Sequence, residues 1–143
     1  MQMKTFIKKF GLSRADVENW IARPSVQLRT KYAPTTKGRA REFTRKNVME
    51  LALVGALVKA GVKPSEVAMW AEVAIEDYCI GLPSIELMAF PPYSFGQMVT
   101  ANKYKDLDIP ALLSQFGGAI ILVEVGKYLR EVDDLFSSHY EAK

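Results

Sequence analysis

Hydrophobic positions follow two regimes along the chain, recurring every three or four residues through most of the first 80 and falling into short continuous or alternating runs beyond them. Residues 3 to 10 put Phe6, Ile7 and Phe10 on one side and Lys4, Lys8 and Lys9 on the other, which predicts a short amphipathic helix. Gly11 then permits a tight turn. Ser13 opens S-R-A-D, an N-cap with an acid three residues on, and a second helix is expected from about Arg14 to Ala22. Its Val17, Trp20 and Ile21 face inward, leaving Arg14, Asp16, Glu18 and Asn19 outward. Pro24 biases Arg23 out of the helical region and ends it. Two helices joined by a Gly-containing turn, the second polar on its outer face, follow the order of a helix-turn-helix.

Between Ser25 and Phe43 the period falls to two. Val26, Leu28 and Thr30 alternate with Gln27, Arg29 and Lys31, then a turn runs from Pro34 to Gly38, and Arg39, Arg41 and Phe43 alternate on the return. A β-hairpin carrying Arg29, Lys31, Lys37, Arg39 and Arg41 is expected. Thr44, with Asn47 three residues on, caps the next helix, which is apolar over most of its circumference through Val48, Leu51, Ala52, Val54, Gly55, Leu57 and Val58. Gly61 closes it. A fourth helix begins at Lys63-Pro64-Ser65-Glu66 and runs with Val67, Trp70, Ala71, Ala74 and Tyr78 on one face towards Gly81 and Pro83.

The remainder predicts a small α+β segment. Ile85 to Phe90 reads as a strand, Pro91 to Gly96 as a turn with exposed aromatics, and Gln97 to Ala101 as a returning strand. Asp108 caps a short helix over 109 to 116, with Pro110 near its first turn. The run AIILVEV at 119 to 125 reads as a buried strand, and Lys127 to Phe136 as a last helix; helix throughout 119 to 136 is the alternative. No internal repeat or low-complexity tract is present.

Composition narrows the classes. In 143 residues, 49% apolar and 24% charged, the chain can bury a core of its own. No apolar run approaches the roughly 20 residues of a membrane span, and no signal-peptide block follows the basic N-terminus, so a cytoplasmic location is expected. Cys79 and His139 are each alone, which excludes a disulfide framework or a Cys/His zinc site within one chain. No cofactor is implied. Charge is unevenly placed: residues 1–46 hold 12 Lys and Arg against three acids, while residues 47–143 hold seven against 13. A basic N-terminal third on an acidic remainder is the balance expected of a chain that meets a polyanion at one end.

FGLSRADVENWI (10 to 21) and GRAREFTRKNVMELALVGALVKAGVKPSEV (38 to 67) together resemble the DNA-binding domain of the MerR family of bacterial transcriptional regulators. The matching positions are Gly38, Arg39, Arg41 and Phe43 for its wing, Thr44 for the cap, Gly61 for the turn and Ser65-Glu66 for the next helix start. The resemblance covers just over half the chain. It implies a winged helix-turn-helix over residues 1–81, mainly α with a β-hairpin wing, followed by a dimerisation or regulatory segment over 82–143. It also implies a sequence-specific regulator, homodimeric and bound to double-stranded DNA. Gly81 and Pro83 stand where that family continues into a long coiled-coil helix, and its cysteine ligands have no counterpart here.

On that reading the outward residues Ser13, Arg14 and Asn19 enter the major groove, where Arg suits guanine and Asn suits adenine. Arg29, Lys31, Lys37, Arg39 and Arg41 touch phosphates or the flanking minor groove. The plainer readings are a solvated charged surface, core packing for Trp20 and Trp70, and packing under a loop for Tyr93 and Phe95, which otherwise line an effector or partner surface. Cys79 reads as a small apolar residue, His139 as solvated, Asp106/Asp108 as a helix start and Asp133/Asp134 as a solvated face. No constellation points to an enzyme, and no pattern assigns a small-molecule effector. Two other functions share the features: an architectural DNA-binding protein of a phage or mobile element, similar to excision factors, and a protein-interaction adaptor.

Overall fold

Four of the helices begin where the chain supplies a side-chain cap or a proline. The computed structural model describes residues 1–81, 84–93 and 95–141, apart from the side chains of Phe95 and Glu141. Helix α1 is Met3–Phe6, and α2, Arg14–Ala22, starts under the Ser13 hydroxyl, which accepts from the Asp16 N–H at 3.0 Å. Thr44 and Asn47 close a reciprocal capping box at 3.0 and 3.1 Å over α3, Arg45–Lys59. Two donors of that terminus are thus satisfied by side chains. Gly61, at φ +101, turns the chain into α4, Pro64–Cys79, whose first residue is the proline.

Every residue of α3 from Asn47 to Gly55 is buried, so this helix is the axis of the molecule. It packs against α4 on one side and α6, Val125–Glu141, on another. Strands β1 (Leu87–Phe90), β2 (Val99–Ala101) and β3 (Ile121–Val123) form an antiparallel sheet in the order β2-β1-β3, with Met88 opposite both Thr100 and Val123. Side chains alternate across a strand. Met88 and Phe90 therefore join the main core with α3 and α6, while Leu87 and Ala89 face a smaller cluster with Leu112 and Phe116. Helix α5, Ile109–Gln115, covers that second face and is capped by Asp108 as expected. The main apolar cluster takes residues from both segments, from Met1 to Val132.

Among the described residues the architecture is mixed α+β, six helices with a three-stranded antiparallel sheet. No helix is long and apolar enough to cross a membrane. The run 119–125 divides into a short strand and the start of α6, which begins two residues earlier than expected and runs five further. The Pro83 stop and the exposure of Phe95 lie outside the described residues.

Two expectations are corrected. No strand ladder forms between Ser25 and Phe43: the only pairings among these residues are isolated bridges, Thr36 with Arg39 and Gln2 with Glu42. Arg23 to Val26 instead make a turn around Pro24, closed by the Val26 N–H on the Arg23 carbonyl at 3.2 Å. Gln27 then takes φ 56, which breaks the extended path the alternation implied. Asp133 is not on a solvated face: its carboxylate accepts from Arg45 Nε and Nη2 and, at 2.5 Å, from the Tyr78 hydroxyl.

Candidate nucleic-acid interface

What replaces the hairpin's first strand is a polar anchor. Glu50 and Asn47, 1% and 0% exposed, project from α3 into an otherwise apolar core. The Glu50 carboxylate accepts from the Arg29 N–H at 2.6 Å, from the Thr30 N–H at 3.3 Å and hydroxyl at 2.6 Å, and from the Tyr32 hydroxyl at 2.7 Å. Asn47 Nδ2 donates to Thr30 Oγ1 at 2.8 Å and the Lys31 carbonyl at 3.1 Å. These side chains take the Arg29 and Thr30 N–H groups and the Lys31 carbonyl, groups that a sheet partner would otherwise pair. Burial, and then the adjacent Glu50 charge, pushes the Tyr32 hydroxyl well above the usual tyrosine range, so it stays protonated as a donor.

Beyond Tyr32 the chain leaves the core. Residues 33 to 40 are all exposed, and they return at Phe43, 2% exposed. Phe43 meets Phe6 edge-on at 5.1 Å and Tyr32 at 6.2 Å. Each such aromatic pair contributes about 1 kcal/mol beyond its buried area, so the two ends of the excursion are held by one ring cluster. At its tip the Arg39 N–H donates to the Thr36 carbonyl at 3.0 Å, with Gly38 at φ +78. A side chain at Gly38 would meet nothing within 4 Å; its backbone angle, not space, calls for glycine.

Helix α2 lies beside this excursion. Gly55 of α3 makes the approach close: a Cβ there would fall 2.3 Å from Leu12 Cδ2 and 3.8 Å from the Trp20 ring. Val17 and Trp20 are buried beneath α2, and Arg14, Ala15, Asp16, Glu18 and Asn19 stay exposed. Between α2 and the excursion runs a cleft of about 580 Å³ lined by Lys4, Arg14, Glu18, Thr35, Arg39 and Arg41. Arg41 is half-buried and donates to Thr35 Oγ1, while Arg14 Nη1 lies 3.5 Å from Glu18 Oε1.

Of the eight residues singled out from sequence, Arg14, Arg39 and Arg41 meet in this cleft. Ser13 caps α2 and Asn19 is exposed on it, both outside the cleft lining, and Lys37 is exposed at the tip. Arg29 and Lys31 are separated from them. They line another cavity of about 310 Å³ with Lys46, Glu72 and Glu76, because Glu50 and Asn47 draw their backbone against α3. The five basic residues therefore do not form one stripe. Sequence reading missed the role of Lys4, whose signal was the basic face of the first helix, and of Glu50, whose signal was a lone acid in an apolar helix.

Comparison with protein-family models and with curated proteins finds no match.

Proposed function

We propose that the protein is a sequence-specific DNA-binding regulator of transcription, with α2 as the recognition helix of a winged helix-turn-helix and the 33–41 excursion as its wing. The observation that carries this reading is the shared cleft: three arginines and a lysine, from α1, α2 and the turn, with one carboxylate among them. A duplex offers a major groove about 12 Å wide that admits one helix, flanked by phosphate rows. Arg14 sits on the helix that would enter it. Arg39 and Arg41 sit on the segment that would meet the backbone alongside, where cations position the protein without reading sequence. The basic balance of residues 1–46 supports the same face.

One such module reads few base pairs, so a homodimer on two half-sites supplies useful specificity. Sedimentation that finds only monomer, with and without DNA, removes this part of the proposal. The interface itself is tested by amide chemical-shift mapping with a duplex added at low salt. Shifts concentrated in 13–22 and 35–41 support it. Shifts confined to the acidic C-terminal half, or none at all, overturn it.

A further inference from the structure

Glu18 is out of place for a phosphate-binding cleft. It lines the cleft with Lys4, Arg14, Arg39 and Arg41, on the same stripe of α2 as Arg14 and Ala22, about one turn from each. Its side chain is 56% exposed, and Arg14, 66% exposed, is its partner at 3.5 Å. So open an ion pair contributes little to stability, and the carboxylate is not explained as a structural staple. Nor does it help attract a polyanion: a negative charge here opposes every phosphate that approaches. A chain that only coated or bent DNA would bind more tightly without it.

A carboxylate does have a favourable partner in the major groove, the cytosine N4 amino group, a hydrogen-bond donor. We infer that Glu18 is a specificity-determining residue that selects a cytosine, with Arg14 one turn away on the same stripe left to meet a neighbouring guanine or phosphate. The inference rests on the proposed DNA-binding reading and narrows it, because it separates a regulator that discriminates sequences from an architectural protein that tolerates them. Repulsion against every non-matching duplex and attraction to one base act in the same direction, so a single exposed residue lowers background binding while sharpening the choice.

The test is selection of bound duplexes from a random library by the full chain, for the unaltered protein, Glu18→Gln and Glu18→Ala, with circular dichroism confirming that each melts alike. The unaltered protein is expected to enrich sites with one fixed C·G pair that loses about tenfold in affinity when changed. Gln pairs best with adenine; Glu18→Gln is expected to move that position from cytosine to adenine. Glu18→Ala is expected to lose the preference there and to bind unrelated duplex several-fold more tightly. If both variants enrich the same sites as the unaltered protein, Glu18 has no part in selection and the inference falls while DNA binding stands. If the unaltered protein retains no duplex, the underlying reading falls with it.

Discussion

Removing the Glu50 carboxylate strands four donors at once: two backbone N–H groups, of Arg29 and Thr30, and the hydroxyls of Thr30 and Tyr32. A buried donor left without a partner costs about 1–3 kcal/mol. Partial access of water to the 29–32 segment relieves some of that, so Glu50→Ala is expected to lower unfolding stability by about 3 kcal/mol in urea melts. A loss under about 1 kcal/mol would mean that the anchor is not what holds the segment. Tyr78 offers a spectroscopic check on a second polar centre. Burial, then its hydrogen bond to Asp133, pushes its hydroxyl up to about 12, against about 10 for an unperturbed tyrosine. Ultraviolet titration is expected to show Tyr78 titrating earlier in Asp133→Asn than in the unaltered protein, while Tyr32, raised by burial and Glu50, titrates late in both.

At the scale of elements, the caps made the helices readable. Ser13, Thr44 with Asn47, Pro64 and Asp108 all stand at helix starts in the structure, because capping is local chemistry. The chain at 25–43 was not readable on the same terms. Its alternation suits a strand, but a strand needs a partner ladder, and here side chains from α3, 15 or more residues later in sequence, take the hydrogen bonds instead. The candidate site was legible in the charges of Arg14, Arg39 and Arg41; the separation of Arg29 and Lys31 was not, since it follows from that same long-range contact. Gly55 is the element-scale test of how α2 is seated. Gly55→Val pushes Leu12 and the Trp20 ring off α3, and overpacking of this kind costs about 1–3 kcal/mol. Urea melts are expected to show that loss, with duplex affinity falling as α2 shifts against the wing. Unchanged stability would mean that Leu12 turns aside freely and that the close approach is not needed.

Across the whole molecule, Arg45 at the start of α3, Tyr78 of α4 and Asp133 of α6 tie the N-terminal helices to the C-terminal one. The Arg45 hydrogen bonds, opposed by burial and aided by Tyr78, hold the Asp133 carboxyl below the usual range. A carboxyl depressed in the folded state stabilises the fold fully above its unfolded value, about 3.9, and loses that contribution as pH falls through the folded value. The guanidinium is 41% exposed, so the pair is screened. Asp133→Asn is therefore expected to cost about 1–2 kcal/mol at pH 7, and the gap between the two proteins is expected to narrow below about pH 4. A gap that stays constant down to pH 2.5 would show that the charge of Asp133 is not the source.

The proposed docking face makes its sharpest claim on counter-ions. Duplex affinity measured by fluorescence anisotropy across a salt series gives a slope of log K against log salt of about −0.9 for each phosphate contact. The cleft predicts a steep slope for the unaltered protein and one shallower by about 0.9 for each of Arg39→Ala and Arg41→Ala. Variants whose slopes match the unaltered protein, or an unaltered protein with no measurable affinity at low salt, would contradict it.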